Sequence, residues 1–164
     1  MAYADTPRYG LALPGVEIQN SDSLIWILRF PEVFRIGDFR QLPIDLKRLN
    51  PERRKHAVLV DMSAINPLTV SAAARREAAE VLHEHADYLA MTCLCEGRVA
   101  PNPIIRGMLT VFDWLAPKPW TINNLFSGEA AELWLRGHLA KLGFVVPVQS
   151  VWPPQASVRP HEIR

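Results

Sequence analysis

The sequence predicts a single α/β domain with a mixed sheet of four to five strands and helices packed on it. Short apolar runs alternate with longer segments whose apolar residues recur every three or four positions, a pattern typical of alternating strands and helices. The first two strands flank a short polar turn and predict a hairpin. The 164 residues, 49% hydrophobic and 21% charged, suit one globular domain.

The N-terminal half begins with the predicted hairpin, formed by residues 15–20 and 24–30. The second strand is apolar on both faces, which places it inside the sheet. A helical pattern follows over residues 36–49, and Pro43 is expected to kink or divide that helix.

Residues 57–62, Ala-Val-Leu-Val-Asp-Met, have the composition of a buried parallel strand. The next helix is expected to start at Asn66 or at Ser71, because both residue types cap helices well, and to reach about Tyr88.

The C-terminal half predicts two more strand–helix units. A strand at 89–96 should end at Gly97, and it precedes a helix at 104–115. A strand at 120–126 leads into a helix that Ser127 caps and Gly143 ends.

Trp114 and Trp134 fall on these helices among leucines, so we expect both in the core. Residues 15–143 thus form the domain, between an irregular segment 1–14 and a proline-rich tail 144–164, extended or disordered, with room for an edge strand at 144–148.

Composition excludes several classes of function. A formal net charge of +1 gives no electrostatic basis for binding nucleic acid or an anionic membrane. No apolar run approaches the ~20 residues of a membrane span, so integral membrane association is not expected, and the N-terminus lacks the pattern of a signal peptide. Two cysteines, Cys93 and Cys95, are too close in sequence for a disulfide framework. These features predict a cytoplasmic protein.

Motifs for catalysis or cofactor binding are not found in the sequence. Glycine-rich phosphate loops and the G-x-S-x-G elbow are both missing. His83 and His85 are two positions apart on a predicted helix, so they point in nearly opposite directions and cannot share a metal. Asp61 ends a buried strand, where α/β sheets place functional loops, although it could equally bind loop amides and fix the turn. We therefore expect no enzyme activity, no metal and no cofactor.

The element order, a hairpin, a helix and three strand–helix units, closely resembles the STAS domain, the sandwich fold of bacterial anti-sigma-factor antagonists such as SpoIIAA. The resemblance covers roughly residues 15–142. Asp61-Met62-Ser63, followed by Ile65 and by Ser71 at the next helix start, is similar to the Asp-Leu-Ser segment and helix-start serine of these antagonists.

The resemblance implies a regulatory protein-interaction module with a serine switch. Ser71 falls at the position of the serine that a partner kinase phosphorylates. Thr69 stands where the family usually has aspartate, and Ala72 replaces the usual glycine. Arg75 and Arg76, one turn on, could pair with a phosphate. The candidate partner-binding or phosphorylation residues are Asp61, Ser63, Thr69, Ser71, Arg75 and Arg76.

The expected partner is another protein, either a kinase or a signalling protein, and a homodimer is a further option. Three alternatives remain open from the sequence. Ser71 could serve only as a helix cap. The domain could bind a small apolar ligand or lipid, as the aromatic-rich helix around Met108, Phe112 and Trp114 indicates. An enzyme on an unfamiliar scaffold is the third.

Overall fold

The computed structural model describes residues 15–146 and 148–152. The elements in chain order are β1 (Glu17–Gln19), β2 (Ile25–Arg29), α1 (Ile36–Leu49), β3 (His56–Asp61), a short 3-10 helix (Pro67–Thr69), α2 (Ala72–Glu84), α3 (Ala86–Thr92), β4 (Cys93–Val99), α4 (Pro103–Leu115), β5 (Thr121–Leu125) and α5 (Gly128–Lys141). The segment 1–14, Pro147 and residues 153–164 of the predicted tail lie outside the described residues.

The five strands form one mixed sheet in the order β1-β2-β3-β4-β5. The hairpin pair β1–β2 is antiparallel, and each later neighbour is parallel. Asn20, at φ 61, closes the hairpin turn and donates a hydrogen bond from its side chain to the carbonyl of Ile25. The predicted α/β class, with a mixed five-stranded sheet and helices packed on it, is confirmed.

Helices cover both faces of the sheet. On the first face, α1, α2 and α4 pack on a core centred on Trp26, Val58 and Val60. On the second face, α5 packs its buried Leu135 against Leu59 and neighbouring strand residues. Because β2 and β3 are apolar on both sides, each face needs its own cover.

Val151 and Trp152 extend the cover of the second face, and the segment 148–152 is bonded to α5 by Glu132 and by Arg136, which donates to the carbonyl of Gln149. Glu132, which is buried, accepts hydrogen bonds from the backbone N–H groups of Val151 and Trp152 and from the Ser150 hydroxyl. The Trp152 ring lies directly on Gly128, where an added Cβ would overlap Cε2 of the ring. Glycine at the start of α5 therefore makes room for the tryptophan.

Strand β4 differs from the strand predicted at 89–96. Residues 86–92 are helical, and the strand includes Gly97 instead of ending there. The glycine is required by a close approach, since a Cβ at position 97 would lie 3.2 Å from Cγ of Leu135 on α5. The sequence analysis interpreted it as a break, but Gly97 allows the helix to pack on the strand.

An extra residue in β4 changes which face its side chains point to. His56 pairs with Cys93, but Val58 pairs with Glu96, so β4 has three steps where β3 has two. Cys93 consequently packs on the first-face core and Cys95 on the second. A regular strand would put both thiols on one face, but the extra residue interrupts the alternation between Cys93 and Cys95.

Other sequence expectations need correction. The helix predicted to reach Tyr88 ends at Glu84, and His85 separates it from α3. Pro43 lies inside an undivided α1, in which it is buried with neighbouring apolar residues. Trp114 is exposed, not in the core, and the described residues between 144 and 148 form no strand. No helix in the described part of the chain is long and apolar enough to cross a membrane.

We expect Gly97→Val to lower the free energy of unfolding by about 1–3 kcal/mol, because the added methyl groups would overlap Leu135. The same substitution at Gly137, where a Cβ on α5 meets open space, should change it by less than about 0.5 kcal/mol. Urea unfolding measures both values. Equal losses at the two positions would contradict the close approach of α5 to β4.

Candidate functional site

Asp61 and Ser63 form a closed turn at the end of β3. Oδ1 of the buried Asp61 accepts hydrogen bonds from Ser63 N at 3.0 Å and from Ser63 Oγ at 2.6 Å. Its Oδ2 lies 3.3 Å from Nε of Arg29 on β2. The carboxylate therefore fixes the turn and joins two strand ends, the structural alternative considered for Asp61.

Thr69 and Ser71 flank the entry into α2. The Thr69 hydroxyl donates to the carbonyl of Asn66 and accepts from Phe34 N, tying the 3-10 helix to the loop before α1. Ser71 is the N-cap of α2, and its exposed hydroxyl accepts a hydrogen bond from Ala74 N at 3.0 Å. Ser71 is thus a helix cap whose oxygen is accessible from solvent.

The two arginines predicted near the serine have different environments. The Arg75 guanidinium is 3.5 Å from the carbonyl of Val70, so it folds back toward the Ser71 loop. Arg76 is exposed and has no side-chain hydrogen bond to another described residue. The structure groups Thr69, Ser71 and Arg75, while Asp61 and Ser63 form a separate turn.

Exposed apolar side chains accompany Ser71 at the same end of the sheet. Leu68, Ile104 and Phe126 are 91%, 58% and 69% exposed, and they follow β3, β4 and β5 respectively. Arg106 places its guanidinium 4.4 Å from the centre of the Phe126 ring. The carboxyl ends of adjacent parallel strands share one edge, so we group Leu68, Ser71, Ile104 and Phe126 as the carboxyl-edge surface. Sequence analysis missed the three apolar members, although each stands beside turn-forming residues.

Two neighbouring cavities lie between the first face and its helices. Their volumes are about 100 Å³ and about 70 Å³. Both are lined by Phe30, Phe39, Met62 and Phe112. The smaller one also reaches Val70 and Arg75, so apolar space extends from the middle of the sheet to the Ser71 loop.

A buried charge cluster forms one wall of the larger cavity. Arg98 on β4, whose side chain is 1% exposed, contacts Glu96 at 2.6 Å and Asp113 of α4 at 2.8 Å. Lys118 lies 3.0 Å from Asp113, and the Trp120 indole donates to Glu96 at 2.9 Å. These bonds hold the loop before β5 against the sheet.

The cluster keeps its carboxylates ionised. Burial alone would raise the pKa of Glu96, but the charges of Arg98 and Lys118 lower it below its usual value. The pKa of Asp113 is lowered in the same way, against the effect of its partial burial. Sequence analysis missed this cluster; the Glu-Gly-Arg spacing, which puts two charges on one face of a strand, is the signal that predicts it.

The two cysteines of β4 are shielded by burial, and the two neighbouring histidines, His83 and His85, are already hydrogen-bonded. Burial raises the pKa of Cys95 to about 11 and that of Cys93 well above its usual value, so both thiols stay protonated at neutral pH. His83 bonds to the carbonyl of Leu115, and His85 to Lys47. In residues 15–146 and 148–152, no His, Cys, Asp or Glu side chains are grouped so that they could hold a metal ion.

Comparison of the chain with protein-family models, curated proteins and solved structures finds no match.

Replacing Arg98 by Met should lower the free energy of unfolding by about 3–5 kcal/mol at neutral pH, because Glu96 would remain buried without its cation. With the cation present the folded-state pKa of Glu96 is depressed, so its stabilisation is present above pH 4.5 and is lost as pH falls through the folded-state value. In the variant, only Lys118 and Trp120 oppose the effect of burial on Glu96, so the part of this stabilisation that Arg98 provides above pH 4.5 should be lost.

The difference between wild type and Arg98→Met should therefore shrink in acid, which urea titrations at several pH values measure. Arg48→Met removes a surface pair with Asp45 and should cost at most about 1 kcal/mol. A pH-independent loss for Arg98→Met would contradict the role of the ion pair.

Proposed function

We propose that this chain is a regulatory protein-interaction module of the STAS type that binds a partner protein through the carboxyl-edge surface. The exposure of Leu68, Ile104 and Phe126 at one sheet edge carries this proposal. Large exposed apolar side chains gathered in one region are typical of binding surfaces. Loops at the carboxyl ends of parallel strands are also where α/β folds bind their ligands.

The position of Ser71 supports a phosphorylation switch on this surface. Its hydroxyl is exposed at a helix N-terminus, three residues after Leu68. A phosphate there would be stabilised by the helix dipole and is close to Arg75, which already approaches the Val70 carbonyl. Nearly two added negative charges beside Leu68 would oppose docking of an apolar partner surface.

The resemblance to STAS antagonists supports the same proposal. The hairpin and the following strand–helix units have the order expected for that fold, and Asp61-Met62-Ser63 ends β3. Thr69 and Ala72, which depart from the family pattern, leave Ser71 as the serine at the helix start. We propose a non-enzymatic function, with a kinase or signalling protein as partner.

Substitutions at Ser71 separate a switch from a cap. Asp and Asn both cap helices as well as Ser does, whereas Ala does not. If Ser71 only caps the helix, Ser71→Ala should lower the free energy of unfolding by about 1 kcal/mol, and Ser71→Asp should leave partner binding unchanged. The switch predicts that Ser71→Asp loses the partner, while Ser71→Asn, which has the same shape without the charge, retains it.

The measurement is a pull-down from native lysate with wild type, Ser71→Asp, Ser71→Asn and Ser71→Ala as baits. Leu68→Ala should also lose the partner, and Leu133→Ala, an equally simple truncation of an exposed leucine on α5, should keep it. Retention of one partner by all of these baits would refute the proposed surface.

The cavities favour a second candidate function, binding of a small apolar molecule. Their lining is largely aromatic and aliphatic, and their combined space suits a ligand of about the size of benzene. The charge cluster of Glu96, Arg98 and Lys118 would then face one side of the ligand.

Toluene at saturating concentration should raise the Tm of the wild-type protein by mass action if the cavity binds it. Ala78→Leu, which extends a buried side chain into the smaller cavity, should reduce the shift. Ala73→Leu places the same side chain on the exposed side of α2 and should leave the shift unchanged. No shift in wild type would rule out this candidate.

A further inference from the structure

The outer face of α4 is exposed, uncharged and largely apolar. Trp114 is 77% exposed, and Val111 and Leu115 are also exposed. The exposed residues of this helix are Pro103, Ile104, Gly107, Thr110, Val111, Trp114 and Leu115, which we call the α4 face; Ile104 is the one residue it shares with the carboxyl-edge surface. A helix on the surface of a monomer normally carries charged residues on its solvent side.

The charged residues of α4 lie outside this face and are already bonded. Arg106 donates to the carbonyls of Ala100 and Pro101 and covers the Phe126 ring. Asp113 accepts from Arg98 and Lys118 in the buried cluster. The α4 face is therefore depleted of charge, as the centres of protein–protein interfaces are.

The spacing on the face is that of a helix-pairing seam. Ile104, Gly107, Val111 and Trp114 follow one another at intervals of three, four and three residues, the repeat that places side chains along one line in paired helices. Gly107 lies at the middle of the exposed arc, and a Cβ there would meet nothing within 4 Å. Packing within one copy therefore does not require a glycine at position 107. Glycine is also a poor helix former, so helix stability does not explain it either.

We propose that the α4 face binds a second copy of this chain, with the two α4 helices antiparallel across a two-fold axis between Thr110 and Val111. In that register, Trp114 of one copy lies opposite Gly107 of the other, so each large side chain occupies the space above a glycine. A two-fold interface requires a surface that is complementary to itself. The pairing of one large and one absent side chain at symmetric positions fulfils this requirement.

The size and composition of the face suit a small homodimer interface. The exposed parts of Ile104, Val111, Trp114 and Leu115 amount to roughly 500 Å² per copy, against ~800 Å² per partner in a standard interface. Thr110, Pro103 and adjoining residues of α2 supply further area around the seam. Trp114 has the residue type and exposure of an interface anchor.

The test is sedimentation equilibrium of the full chain from micromolar to near-millimolar concentration. Wild type should show a concentration-dependent mass approaching that of two chains. Trp114→Glu should weaken dimerisation by at least ~30-fold. Leu133→Glu introduces the same charge at a leucine of α5 that is 73% exposed, and it should dimerise like wild type.

Gly107→Leu tests the register without weakening the helix. The new side chain fills the space that Trp114 of the other copy would occupy, so dimerisation should be lost, while the Tm at concentrations where wild type is monomeric stays equal or rises. Thr110→Cys, close to the proposed axis, should form an intermolecular disulfide under mild oxidation. A monomeric wild type, or a dimer unaffected by Trp114→Glu and Gly107→Leu, would overturn the proposal.

Discussion

Strands β2 and β3 are apolar on both faces, and this constraint determines how the remaining chain is used. Leu59 and Ile27 point to one side while Val58 and Trp26 point to the other, so the sheet is stable only if both sides are covered. Helices α1 to α4 cover the first face. Among the described helices only α5 covers the second face, and Gly97 lets that helix sit close while Trp152 and its neighbours extend the cover. The two cavities occur where the first-face helices bridge a broad surface.

The way in which helices cover the two faces of the sheet also explains where charged side chains can be buried. Arg98 and Glu96 occupy the first face near its edge, where α4 and the following loop supply Asp113, Lys118 and Trp120 as partners. Burying charges is favourable only with such complete pairing. The result is a rigid connection between β4, α4 and β5, and it fixes the orientation of α4. In this orientation Ile104, Val111 and Trp114 are exposed to solvent.

Sequence alone predicted the mixed sheet, the alternation of strands and helices apart from α3, and the cap at Ser127, and it named Ser71 as one of two possible starts of α2, because short-range patterns control these features. It failed where a distant contact decides the outcome. Gly97 was interpreted as a strand end, since the proximity of Leu135 is invisible in the local sequence. Trp114 was placed in the core because its neighbours are apolar, yet the buried side of α4 is taken by Ile105 and Leu109. Of the candidate site, Ser71 could be located as a capping residue and Thr69 only through the resemblance to STAS antagonists, whereas the exposed apolar residues of three separate loops are related only through the sheet.

The extra residue in β4 limits the changes in length that this strand can accept. It shifts the alternation by one position, so that Glu96 and Arg98 turn toward α4 and not toward Ala131, Leu135 and Leu139, the apolar residues that α5 packs on the sheet. Loss of one residue between Cys93 and Glu96 would invert every later side chain of the strand and bring two charges against Leu135. Insertions and deletions in this segment should therefore be accepted only in pairs. The strand should therefore tolerate substitutions better than single-residue changes in its length.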